Sequence, residues 1–321
     1  MSRRAPWGAN IARAVSGDPY MELPKDSVAG ESCIDALVRG GHDWTVGLQD
    51  VQVAGGSKID RKAAVVRSDN GYALGVVGKT YRPIQNRDLA AFADDLASEA
   101  STTVSAVGTL EQGRRVFAVV DYGEYRPPGF GGNEVVNLSQ IVWSRHDGGG
   151  SLTAGLFPLR LSCANGMRAL IKAKVRSLKI RHTLRADQRL VEARKVLGVG
   201  AQAFDGFEEA VTRLLDTEAT DATFTALTEQ LLPVGDDDTP PATVTRRANA
   251  RDAMFALWSE SPNLDGIRGT AYAAVNAVGE WEQWVRPIRG NRGRDEVHMM
   301  SIMNGGEKLT ERAASLLLPT S

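Results

Sequence analysis

Cysteine is nearly absent from this 321-residue chain: Cys33 and Cys163 are the only two, far apart and in unrelated surroundings. Two thiols cannot build a multi-bridge framework and neither sits in a CxxC pair, so the sequence points to a reducing, cytoplasmic setting. Histidine is scarce as well, with His42, His146, His182 and His298 forming no HExxH and no Cys/His pattern of zinc spacing. There is no Gly-x-Ser-x-Gly elbow. No metal, cofactor or catalytic set is therefore implied, and an enzyme is less expected than a binding protein. No run approaches the ~18 apolar residues that span a bilayer, so no membrane partner is expected. The paired arginines at Arg3 and Arg4 lead into Asn10, Arg13, Ser16 and Asp18 instead of an apolar stretch, which argues against an export signal. An excess of one charge sign is missing too: 38 Lys+Arg face 39 Asp+Glu. Any attraction to a polyanion has to be local.

What is present is ordinary globular material, 42% apolar and 24% charged, in a length that suits two domains or one large domain with extensions. Residues 1–44 mix Pro, Gly and charge with little period and read as an N-terminal arm with short helical pieces. Val46 to Val53 alternates apolar and polar, as a half-buried strand does. Lys62–Arg67 and Tyr72–Val77 flank Ser68-Asp69-Asn70-Gly71, where Asn-Gly accepts the positive φ of a tight hairpin. From Asn86 to Ala100 the period changes, with Leu89, Phe92, Ala93 and Leu96 at helical spacing. Strands return at Thr103–Leu110, Arg114–Asp121, Glu134–Trp143 and Ser151–Phe157. The expected class is α+β, a largely antiparallel bent sheet in the order β-β-β-α-β-β-β-β over a core domain of residues 45–185.

Residues 186–321 read as a helical half. Candidate helices begin earlier, at Asn165–Lys179, and continue with Ala186–Leu197, Ala201–Leu215, Ala222–Leu232, Arg246–Trp258, Thr270–Val285 and Lys308–Leu318. Pro233 to Pro241 is rich in breakers and reads as a linker. The apolar stripe Tyr272, Val275, Val278, Trp281 and Val285 is explained by core packing better than by a cofactor site.

Two chemical constellations have plainer explanations. Ala73-Leu-Gly-Val-Val-Gly-Lys79-Thr80 resembles a relaxed phosphate loop, with Asp121 ending a later apolar strand as a magnesium ligand would. That reading needs a helix starting at Lys79, yet Pro83 falls in its first turns and the preceding strand is already half of a hairpin. His146-Asp147 with Cys163 and His182 could converge for acid-base work, but Asp147-Gly148 suits a plain turn.

The positive signal is a basic stretch. Between Arg160 and Lys195 eleven cations face only Asp187 and Glu192, 11 − 2 = +9, in a chain of net charge −1. Clustered cations neutralise phosphates and release counterions. Arg160, Arg168, Lys172, Lys174, Arg176, Lys179, Arg181 and Arg185 are the expected phosphate contacts, with His182 assisting. On a helix from Asn165, Arg168, Lys172 and Arg176 share one face. No aromatics are interleaved, so Tyr125, Trp143 and Phe157 would have to come from the sheet to stack on bases. The bland alternative is a solvated face, or one paired with the protein's own acids.

Five short blocks in order, Tyr81-Arg-Pro-Ile-Gln-Asn86, Ser144-Arg-His-Asp-Gly148, Pro158-Leu-Arg-Leu-Ser-Cys-Ala-Asn165, Ile180-Arg-His-Thr183 and Gly269-Thr-Ala-Tyr-Ala-Ala-Val-Asn-Ala277, resemble the phage/plasmid-like family built on domain of unknown function 932. The resemblance implies a mobile-element protein and supplies no catalytic residue. By fold-level analogy, the strand-helix order suits a single-strand-annealing factor that works as a homo-oligomer. The leading expectation is thus a nucleic-acid-binding protein of phage or plasmid DNA metabolism, favouring single-stranded DNA, in the host cytoplasm. A non-enzymatic interaction or host-modulating protein is the alternative, and a nucleotide-dependent enzyme the third.

Overall fold

The computed structural model describes residues 21–22, 31–128, 134–149, 152–160, 165–166, 170, 177–179, 186–235, 238–288 and 294–318. Its strands are β1 (Met21–Glu22), β2 (Val46–Gln52), β3 (Lys58–Arg67), β4 (Ala73–Gly78), β5 (Thr103–Leu110), β6 (Arg115–Tyr125), β7 (Val136–Arg145), β8 (Thr153–Arg160), β9 (Asn165–Gly166) and β10 (Ser177–Lys179). The helices are α1 (Cys33–Arg39), α2 (Asn86–Glu99), α3 (Ala186–Asp216), α4 (Asp221–Leu231), α5 (Pro241–Glu260), α6 (Ala271–Glu280), α7 (Arg294–Asn304) and α8 (Lys308–Leu317). The class is α+β with antiparallel pairing throughout these strands, and the helices dominate after residue 186.

The strands divide between two sheets instead of forming one. The main sheet runs β1-β5-β6-β7-β8, with β9 and β10 both paired to the outer side of β8; β2-β3-β4 form a separate sheet. Period-2 alternation explains how the main sheet is covered on both faces. Along β6, Val116, Ala118 and Val120 join Leu37, Leu89, Phe92, Leu96 and Val196 from α1, α2 and α3. Phe117 and Val119 point the other way, with Leu110, Ile141, Trp143 and Phe157, onto Met299, Met300 and Met303 of α7. A strand buried on both faces reads as a continuous apolar run, which is what Val116 to Val120 is.

The later helices build their own core. α6 is buried on every side, from Ala271 to Glu280, as expected of a helix that is apolar all round. Phe207 and Val211 of α3, Phe224 of α4, Met254 and Trp258 of α5 and Ala313 of α8 surround it. Phe224 stacks on Trp258 with ring centroids 4.9 Å apart. One π turn, Trp281–Val285, extends α6. There Glu282 accepts hydrogen bonds from the amides of Leu309 and Thr310 (3.1 and 2.9 Å) and from Thr310 Oγ1 (2.8 Å). A carboxylate on the free amides of a helix start stabilises that end. Glu282→Ala is expected to cost about 1–2 kcal/mol, read from the urea midpoint; an unchanged midpoint would show the cap idle.

Three sequence expectations need correction. The helix at Asn165–Lys179 is not formed at its ends, where Asn165–Gly166 and Ser177–Lys179 are strands on β8. The free edge of β8 offers hydrogen bonds there that outweigh a weak helical period. Second, Ala186–Leu197 and Ala201–Leu215 are one helix, α3, which runs through Gly198 and Gly200. Glycine costs a helix about 1 kcal/mol, and packing overrides it. Third, the strands before α2 leave the main sheet, as described.

Candidate nucleic-acid interface

Backbone pairing decides where the expected cations go. Arg160 is the last residue of β8, opposite Val136 on one side and Asn165 on the other. Lys179 ends β10 opposite Thr153, and its side chain is exposed. β9 and β10 therefore follow one another along the same edge. Gly166 and Ser177 are eleven residues apart (177 − 166), while their partners Leu159 and Gly155 are only four apart (159 − 155). Arg168, Lys172, Lys174 and Arg176 lie outside the described residues, as do Arg181, His182 and Arg185. Leu170, in the same stretch, is buried against the helical core. The helix face expected to carry Arg168, Lys172 and Arg176 falls on residues outside those described.

The far end of the basic stretch is already neutralised. Arg194 donates to both carboxylate oxygens of Glu99 (2.7 and 3.1 Å), which holds that carboxyl below its ordinary range. Lys195 lies 4.0 Å from Glu192. The aromatics expected to come from the sheet are already packed. Trp143 and Phe157 are buried under α7, and Tyr125 packs on Phe207 with centroids 6.3 Å apart. None of the three is a stacking platform.

A second constellation, unforeseen as such, joins the two sheets. Asn86, at the start of α2, donates through Nδ2 to the carbonyls of His42 (2.7 Å) and Trp44 (3.3 Å). Its Oδ1 must then face the ring of His146, 2.7 Å away, so Nε2 of His146 carries the proton. His42 Nδ1 in turn meets Thr109 Oγ1 at 3.2 Å. Trp44 packs edge-on against His146, and the Arg67 guanidinium lies 4.1 Å above the indole. Tyr81 OH donates to the Arg145 carbonyl (3.1 Å). The first two sequence blocks, Tyr81–Asn86 and Ser144–Gly148, thus meet in space.

Close approach here depends on glycine. A Cβ on Gly75 would lie 2.8 Å from Asp147 Cα, and one on Gly113 (φ +95°) would lie 2.7 Å from the Trp44 ring. Burial lowers the His146 pKa from 6.5 to about 4, with Arg67 adding to the effect. The ring is neutral at pH 7. Its Nδ1, the Trp44 Nε1 and the Ser144 Oγ make no hydrogen bond among the described residues.

The hydrogen bonds of this junction tie the segment before β2 to the start of α2 and the end of β7. Asp147 accepts hydrogen bonds from Arg145 Nε (2.9 Å) and Nη2. Burial opposes ionisation of Asp147, yet Arg145 and the Gly149 amide hold its carboxyl below the ordinary range. Cys163 and His182, the other proposed partners, lie outside the described residues. Cys33 is buried and its thiol is pushed up by burial and by Asp94, so little thiolate forms. Lys79 ends in a turn and ion-pairs with Asp50 at 3.2 Å, and α2 starts only at Asn86. No phosphate loop forms. Asp121 instead bonds Gly123 N and Asn137 Nδ2. No metal-holding cluster of His, Cys, Asp or Glu occurs among the described residues, and no helix among them is long and apolar enough to cross a membrane.

A family model described as Domain of unknown function (DUF932) matches residues 73–303. No curated protein and no solved structure matches.

Proposed function

This chain belongs to the family of domain of unknown function 932, and from that premise we propose that it binds nucleic acid, preferring single-stranded DNA. It would do so as a non-enzymatic factor of phage or plasmid DNA metabolism in the host cytoplasm, assembled from several copies during strand annealing. One observation carries the reading: from Arg160 to Arg185 there are eight cations and no acid, 8 − 0 = +8, against −9 for the rest of the chain. Arg160 and Lys179 put the two ends of the richest part on one sheet edge.

Electrostatic binding has a signature that a solvated or self-paired surface lacks. Affinity falls with salt as counterions are released, with a slope near −0.7 per phosphate contacted on single strands. Fluorescence anisotropy with labelled single- and double-stranded DNA, at low and high salt, reads this directly. The expected result is tighter binding to the single strand and a slope of about −3 to −5. Replacing Arg168, Lys172, Lys174 and Arg176 together by Gln should weaken binding by about 100-fold in low salt, with an unchanged urea midpoint. No binding at low salt, or binding indifferent to salt, ends the proposal.

A further inference from the structure

The smaller sheet carries a feature that packing does not explain. β4 pairs with β3 only between Lys62 and Val66. β2 and β3 continue past it, pairing as far as Gln52 and Lys58. A turn closes them, with Val53 N donating to Ser57 O and Gly56 N to Val53 O, both at 3.0 Å. Beyond β4 this is a two-stranded ribbon, and every residue from Gln52 to Lys62 is exposed. Such hairpins are marginal alone and bury little.

Its charges run from the turn, at Lys58, back to the base, at Arg61, Lys62 and Lys79. Asp50 holds both Lys58 Nζ (2.8 Å) and Lys79 Nζ (3.2 Å), and Lys79 N donates to Arg61 O at 3.2 Å. Arg61 has φ +65°, a strained value for a residue with a Cβ, where the register shifts opposite Asp50 and Gln52. Lys58, Arg61, Lys62, Lys79 and the nearby Arg82 outnumber Asp50 and Asp60, 5 − 2 = +3. Arg61, Lys62 and Arg82 make no ion pair among the described residues. Near the tip Val53 is 49% and Ile59 37% exposed.

We propose that the β2–β3 ribbon is an arm that enters a groove of duplex nucleic acid. The B-form major groove, about 12 Å wide, admits a two-stranded ribbon. The cations at the base would reach the flanking phosphates, while Val53 and Ile59 give apolar contact to base edges. This deepens the nucleic-acid reading above and rests on it: the sheet-edge cations take the single strand, and the arm takes the paired product.

The test uses the full chain with two labelled probes, a short duplex and one of its strands. Arg61→Gln/Lys62→Gln should weaken duplex binding about tenfold and flatten its salt slope by about 2, leaving the single strand within about twofold. A photoreactive residue at Ile59 should crosslink to the duplex. If the wild-type chain binds duplex and neither result appears, the arm is overturned and the edge reading survives. Binding of neither probe by the wild-type chain removes both. A change in sedimentation of the double variant without loss of duplex affinity assigns the ribbon to a second copy of the chain and overturns the arm.

Discussion

Lowering the pH from 7 to 5 should cost this protein about 4 kcal/mol of stability, roughly half from His146 and half from His298. Both rings are buried, and burial takes each pKa from 6.5 to about 4. His298 packs against Trp284 with centroids 4.6 Å apart, and its Nδ1 makes no hydrogen bond among the described residues. Because the folded pKa is depressed, the unfolded chain binds more protons between these values. Stability is complete above about pH 6.5 and declines as pH falls toward about 4, where the folded rings also titrate. Asp94 works in the opposite direction, since burial raises its pKa. Urea midpoints at pH 7 and pH 5 measure the difference, and His298→Phe should remove about half of it. A midpoint that holds steady across that interval would mean the rings are solvated or already charged.

Asn86→Ala should cost about 4 kcal/mol at pH 7, the penalty for orphaning several buried polar groups at once. The carbonyls of His42 and Trp44 and the Nε2–H of His146 all bond to this one amide. The adjacent Arg87, exposed and paired with Asp43, is the control, with an expected cost within about 0.5 kcal/mol. Equal losses for the two variants would show that the junction does not hold the sheets together.

Local chemistry was legible in the sequence, and non-local pairing was not. Asn70-Gly71 announced its hairpin, and Gly71 does adopt φ +72° with Arg67 N bonded to Tyr72 O. Leu89, Phe92 and Leu96 announced α2, since their spacing alone defines the buried face. Residues 165–166 and 177–179 misled because a helical period ran through them, and the edge of β8, outside the segment, draws both ends into strands. The same limit applies to charge. The basic stretch is visible as composition, but Glu99, 95 residues before Arg194 in the chain, is what neutralises that end. Likewise nothing local links Asn86 to His146, sixty residues on. The ordered sequence blocks were the one sign that those positions belong together.

The main sheet also controls its own assembly. Its long strands β5 to β8 lie inside, while the outermost partners are the two-residue β1 on one side and the short β9 and β10 on the other. Among the described residues each border ends on strands of two or three residues, and a stranger's strand pairing with β1, β9 or β10 finds few consecutive amides and carbonyls to template onto. A chain with so much apolar β-sequence, Val116 to Val120 above all, is thereby guarded against fibre-like growth from its largest sheet.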